Sequence, residues 1–172
     1  MQFAHPKGPS MPLSHHRSVI AVSLFVAFLL NIAPWPLEYI WLRPDFLLLV
    51  TLYWVIYQPN YLNIGSAWLL GLLLDLSDGG RLGQHALAYA VTVFVLLLVQ
   101  RRMFNFPPWQ QALPVTVLLL IEQSVCILIA TFTGDTHYRI EYFAAIVTGT
   151  ACWVPLWLML HRLRTPDTPE AK

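Results

Sequence analysis

Asp75 and Asp78 stand three residues apart, a separation that puts two carboxylates on one helix face and could serve general acid–base chemistry. Upstream, Arg43-Pro44-Asp45 opens an apolar run from Phe46 to Trp54; downstream, Gln84-His85 and Glu122-Gln123 bring an imidazole and a third carboxylate into other apolar runs. These side chains could transfer protons, pair as ions or close the ends of helices. Charge beside lipid costs roughly 2.5–3.5 kcal/mol per Asp, Lys or Arg at a helix centre on insertion scales. Each such group therefore belongs at an interface, against protein, or at work.

Catalysis is the weaker expectation. Asp78 is followed by Gly79-Gly80, which points to a loop and breaks the dyad. The Gly-x-Gly-Asp setting of intramembrane aspartyl proteases is absent, as are a Gly-x-Ser-x-Gly elbow, a His-Glu-x-x-His zinc motif and a phosphate loop. No enzyme, cofactor or metal is expected. Asp45, just after Pro44, suits the N-cap of a helix, a role worth about 0.5–2 kcal/mol. Asp75, set among leucines, is expected to pair inside the bundle with Arg43 or Arg81. Glu122 is expected to be protonated, to pair across helices or to face a cavity; bonding between helices is the leading expectation, with contact to a partner protein or ligand as the alternative. His85, beside Gln84, reads as an interfacial hydrogen-bonder. Cys126 and Cys152 fall inside apolar runs and read as small buried side chains.

The elements that must position these groups are membrane helices. The 172 residues are 57% hydrophobic and 11% charged, where soluble domains carry about 25% charged residues. A net charge of +1 gives no reason to expect nucleic acid. The apolar runs predict six spans, at about Ser18–Ala33, Phe46–Tyr57, Ile64–Leu76, His85–Val99, Ala112–Phe132 and Ile140–Leu160. The first reads as a retained span and not a cleaved signal. The second and third are short, which suits a tilt, a thinned bilayer or a packed hairpin. Residues 18–164 form one membrane domain, with tails at 1–17 and 165–172. Lys7, Arg17, Arg101, Arg102, Arg162, Arg164 and Lys172 gather on one side against Arg43, Arg81 and Arg139 on the other, which puts both termini in the cytoplasm. Small residues four apart, Ala67 with Gly71, Ala86 with Ala90 and Ala145 with Gly149, mark close helix approaches. The basic, aromatic loop after Arg101-Arg102 could dock a cytoplasmic partner.

Four segments in order, Arg43-Pro44-Asp45 leading to Tyr53-Trp54, Gly71-Leu72-Leu73-Leu74-Asp75, Gly83-Gln84-His85-Ala86-Leu87-Ala88-Tyr89 and Pro108-Trp109-Gln110-Gln111-Ala112-Leu113, resemble the bacterial rod shape-determining protein MreD family. The resemblance covers about Arg43 to Arg164. It implies a six-helix all-α bundle similar to the substrate-binding subunit of energy-coupling-factor vitamin transporters, in the bacterial inner membrane. It also implies a non-enzymatic scaffold of the cell-elongation complex that binds MreC directly, works with MreB, RodA and its penicillin-binding transpeptidase, and supports lateral peptidoglycan synthesis and rod shape. Arg43, Pro44, Asp45, Gly71, Asp75, Gly83, Gln84 and His85 carry over as marked positions, none as catalytic. The competing expectation is a small-molecule or lipid-binding subunit of a vitamin-type transporter, using the same polar cluster.

Overall fold

A chain this apolar must satisfy its backbone internally, and among the described residues it does so with helices. The computed structural model describes residues 13–36, 42–79, 82–134 and 143–164, of which 13–16 are described by backbone alone. Arg81, Arg139, Tyr39, Trp41 and both predicted tails beyond these ranges lie outside the described residues. Six helices follow one another: α1 (Leu13–Ile32), α2 (Phe46–Tyr57), α3 (Ile64–Asp78), α4 (Gln84–Met103), α5 (Pro108–Phe132) and α6 (Ala144–Arg164). Helices α4, α5 and α6 are each long and apolar enough to cross a membrane; the apolar part of α1, Arg17–Ile32, and α2 are shorter. The architecture is an all-helical membrane bundle.

The ends differ from the sequence expectation for local reasons. Helix α5 starts at Pro108, four residues before Ala112, because Pro107 is extended (φ −64°, ψ 157°) and a proline at the first helical position removes an N–H that would have no partner. Helix α4 continues through Gln100-Arg101-Arg102 to Met103, so those arginines sit in its last turn, where cations suit the negative end of the helix dipole. Helix α3 runs through Asp78 and stops at Gly79, whose φ of 63° is readily adopted only without a side chain. Asp78 is therefore the exposed last residue of α3 and not a loop residue.

Helix α2 is the axis of the fold. Every residue from Leu47 to Ile56 is buried, as expected of a helix apolar all round. It packs against α1, α4 and α6, while the surrounding helices contact one another in the cyclic order α1–α3–α4–α5–α6. Its shortness now has a structural reason, since protein covers it on all sides. It packs against α1 and not as a hairpin with α3. Polar side chains fasten the ring to this axis and to itself: Trp54 Nε1 donates to Ser23 Oγ of α1 at 2.8 Å, Gln100 Nε2 donates to the Val55 and Ile56 carbonyls at 2.9 and 3.1 Å, and Thr116 and Thr150 join α5 to α6 at 2.9 Å.

The tightest approach is α3 against α4. A Cβ on Gly71 would lie 2.5 Å from the His85 carbonyl oxygen and 2.7 Å from Ala86 Cα, so the predicted small residues of two helices meet at one crossing. Ala67 and Ala86 are fully buried and Ala90 half-buried. At Gly149 the nearest atom is Leu119 Cδ1 at 3.0 Å, the end of a flexible side chain. Gly71→Ala should thus lower thermal stability in detergent by an amount equivalent to about 1–3 kcal/mol, the range for overpacking, and Gly149→Ala by clearly less. Equal melting shifts for the two variants would contradict this packing.

Candidate functional site

The polar residues collect at the two ends of the bundle. At one end, Asp45 is the N-cap of α2 and accepts from Leu48 N at 2.9 Å. The same carboxylate accepts from Asn31 Nδ2 of α1 at 2.7 Å and from the Tyr89 hydroxyl of α4. Asn31 Oδ1 in turn accepts from Phe46 N at 3.0 Å. A carboxylate and a carboxamide thereby close the open end of the central helix and tie three helices together.

Asp75 does the equivalent for α4 from a neighbouring helix. The N-cap of α4 is Gly83, at φ 100°, and it has no side chain with which to cap. Asp75 Oδ2 accepts from Gly83 N at 2.8 Å and Ala86 N at 3.2 Å, while Oδ1 accepts from His85 N at 2.9 Å. Oδ1 also contacts His85 Nδ1 at 2.8 Å. An ionised carboxylate only accepts, so Nδ1 carries the proton in this pair. Among the described residues Asp75 pairs with His85 and three backbone amides, and not with Arg43, one of its two expected partners. The bare glycine cap and the Gly71 crossing bring the end of α4 to Asp75, whereas Arg43 makes no ion pair among the described residues and Arg81 lies outside them.

Beside Asp45 and His85 lies a cavity of about 260 Å³. Arg43, Asp45, Asp78, His85, Glu122 and Cys126 line it, with Ala145 at its wall. Of the predicted polar positions, Arg43, Asp45, His85 and Glu122 thus share one cavity, Asp75 reaches it through His85, and Gln84 is buried at the start of α4. Glu122 is buried as its mid-helix position suggested; it lines this cavity and accepts from the Cys126 thiol of its own helix at 3.3 Å. A ring nitrogen of His85, a carboxylate oxygen of Glu122 and Cys126 Sγ lie within 4.8 Å of one another.

The opposite end holds a second network. Tyr57 Oη, at the end of α2, accepts from Gln111 Nε2 of α5 at 2.9 Å and from Trp157 Nε1 of α6 at 2.8 Å. Gln111 Nε2 also reaches the Met103 and Phe106 carbonyls at 3.0 and 2.9 Å, and the Arg164 guanidinium lies over the Tyr57 ring at 4.7 Å. Sequence reasoning did not single out Asn31, Tyr89, Gln111, Tyr57 or Trp157 as site residues. Asn31, Tyr57 and Gln111 lie at or next to the ends of apolar runs, a signal that could have found them, whereas Tyr89 and Trp157 lie inside runs and carry none.

A polytopic helical bundle with two carboxylates, half-buried Asp45 and buried Asp75, holding its helix ends defines the class of protein. The profile of the family described as "rod shape-determining protein MreD" matches residues 14–163. Over 144 residues, 83% of this chain and 89% of the relative, the sequence is 31% identical to the "Rod shape-determining protein MreD" of Haemophilus influenzae (strain Rd). No solved structure matches. The chain belongs to the MreD family of rod shape-determining proteins.

The Asp75 geometry separates a helix cap from a simple ion pair. Removing the carboxylate strands three backbone donors as well as the imidazole, and each buried unpaired donor costs about 1–3 kcal/mol. Asp75→Ala should therefore lower the melting temperature and folded yield much more than His85→Ala, with Asp75→Asn between them. Arg43→Ala should not reproduce the loss. If His85→Ala were as damaging as Asp75→Ala in detergent melts, the cap would be secondary to the ion pair.

Proposed function

We propose that the protein is a non-enzymatic scaffold in the bacterial inner membrane, with both termini in the cytoplasm. It binds MreC directly and, with MreB, RodA and its penicillin-binding transpeptidase, helps organise lateral peptidoglycan synthesis and maintain rod shape. The observation that carries this reading is the family match across all six helices. The geometry supports it, because the carboxylates of half-buried Asp45 and buried Asp75 are engaged in closing helix ends, a role that stiffens a surface without turning over a substrate. That surface is broad and apolar: Leu76, Leu98, Leu113, Phe132 and Val147 all point outward. A lateral groove of about 310 Å³ between α1 and α6, lined by Val22, Val26, Leu30, Met159 and Leu163, offers a lipid-level contact for a partner helix.

The kinship with the substrate-binding subunit of energy-coupling-factor transporters belongs to the same proposal. The polar cavity beside Asp45 favours a second reading, a small-molecule or lipid-binding subunit of a vitamin-type transporter. Depletion in a rod-shaped host distinguishes the two. The scaffold reading expects cells to round, and the purified protein to retain MreC without any tightly held small ligand. Cells that stay rod-shaped while losing uptake of one nutrient would replace it with the transporter reading.

A further inference from the structure

The fold assembles three different metal-binding donors from two helices. Glu122 and Cys126 are one turn apart on α5, and His85 comes from the first turn of α4. Their donor atoms lie within 4.8 Å of one another, with Glu122 and Cys126 buried. Bonds of about 2.0–2.3 Å to a central ion would require the three atoms to draw in by roughly 1 Å. Asp75 adds what such a site commonly has behind its histidine. Its carboxylate holds Nδ1–H at 2.8 Å, which fixes the ring and leaves Nε2 as the lone pair the neutral imidazole can offer.

The surroundings call for a cation. Among the described residues lining the cavity, the carboxylates Asp45, Asp78 and Glu122 face the single guanidinium of Arg43. The donor set narrows its identity. A thiolate, an imidazole and a carboxylate together suit a borderline-soft divalent ion and not magnesium or calcium, which prefer all-oxygen shells. Three protein donors leave a fourth tetrahedral position, and the adjoining cavity gives it room for water.

We propose that His85, Glu122 and Cys126 form a binding site for a zinc-class divalent cation, with Asp75 orienting His85 from behind. The ion joins α4 to α5 and, through Asp75, to α3. Its binding deprotonates the Cys126 thiol, and the proton leaves to solvent through the cavity.

The test uses the full chain in detergent, carrying an affinity tag without histidines. The protein is loaded with Zn²⁺ or Co²⁺, desalted, and read by elemental analysis and absorption spectroscopy. Wild type should retain one zinc per chain, and the cobalt form should show a thiolate-to-cobalt charge-transfer band. Cys126→Ser should abolish that band and weaken zinc binding at least tenfold, while Cys152→Ser leaves both unchanged. Asp75→Asn should weaken zinc binding by about 10–100-fold, the usual effect of losing such a supporting carboxylate. The wild-type spectrum decides the matter even if a variant fails to fold. Monodisperse wild-type protein with no stoichiometric metal, a cobalt form without the thiolate band, or a band lost in Cys152→Ser and kept in Cys126→Ser would overturn the site.

Discussion

Helix ends buried away from water leave backbone N–H groups that must find acceptors, and the rest of this structure depends on how two carboxylates meet that need. Asp45 closes α2 from its own N-cap and, with Asn31, draws in α1 and α4. Asp75 closes α4 from the neighbouring helix α3. The second arrangement works only because Gly71 lets the two backbones come close enough for a short aspartate to reach the amides. Charge placed here is therefore structural first. It stands among apolar side chains because the donors around it are numerous and fixed.

The central helix follows from the same constraint. A twelve-residue apolar helix is short for a membrane crossing, yet α2 needs no lipid face, since α1, α4 and α6 pack against it and the other helices complete the ring. Its two ends are the two polar networks: Asp45 with Asn31 and Tyr89 at one, Tyr57 with Gln111 and Trp157 at the other. Holding one buried rod at both ends fixes the register of the surrounding helices. The proposed scaffold role would need such a fixed outer surface, because lipid supplies no hydrophobic drive for helix association and contacts rest on close packing and polar bonds.

Much of this was legible in the sequence. Apolar run length located the helices, the Pro44-Asp45 pair announced a cap, and the four ordered segments from Arg43 to Leu113 pointed to the family. Spacing within one helix could not show what crosses between helices. Asp75 suggested an arginine partner because charge seeks charge in a one-dimensional reading, whereas its donors among the described residues are the His85 ring and three backbone amides of a kind that every sequence contains. The cluster of His85, Glu122 and Cys126 was hidden for a related reason: its members are 37 and 4 residues apart in sequence (85 to 122, 122 to 126), a spacing no local metal motif describes. Glycine and alanine positions were readable as close approaches, but that Gly71 and Ala86 serve the same crossing emerged only from the packing.

Amide hydrogen exchange of the protein in lipid nanodiscs tests most directly whether the Asp75 carboxylate holds the start of α4. In the wild type, a peptide spanning residues 83–89 should exchange slowly, as the bonded amides of Gly83, His85 and Ala86 require. In Asp75→Ala the same peptide should exchange much faster, while peptides from the middle of α5 and α6 keep their protection. Unchanged protection of residues 83–89 in a folded Asp75→Ala protein would contradict the account, because some other group would then be closing that helix end.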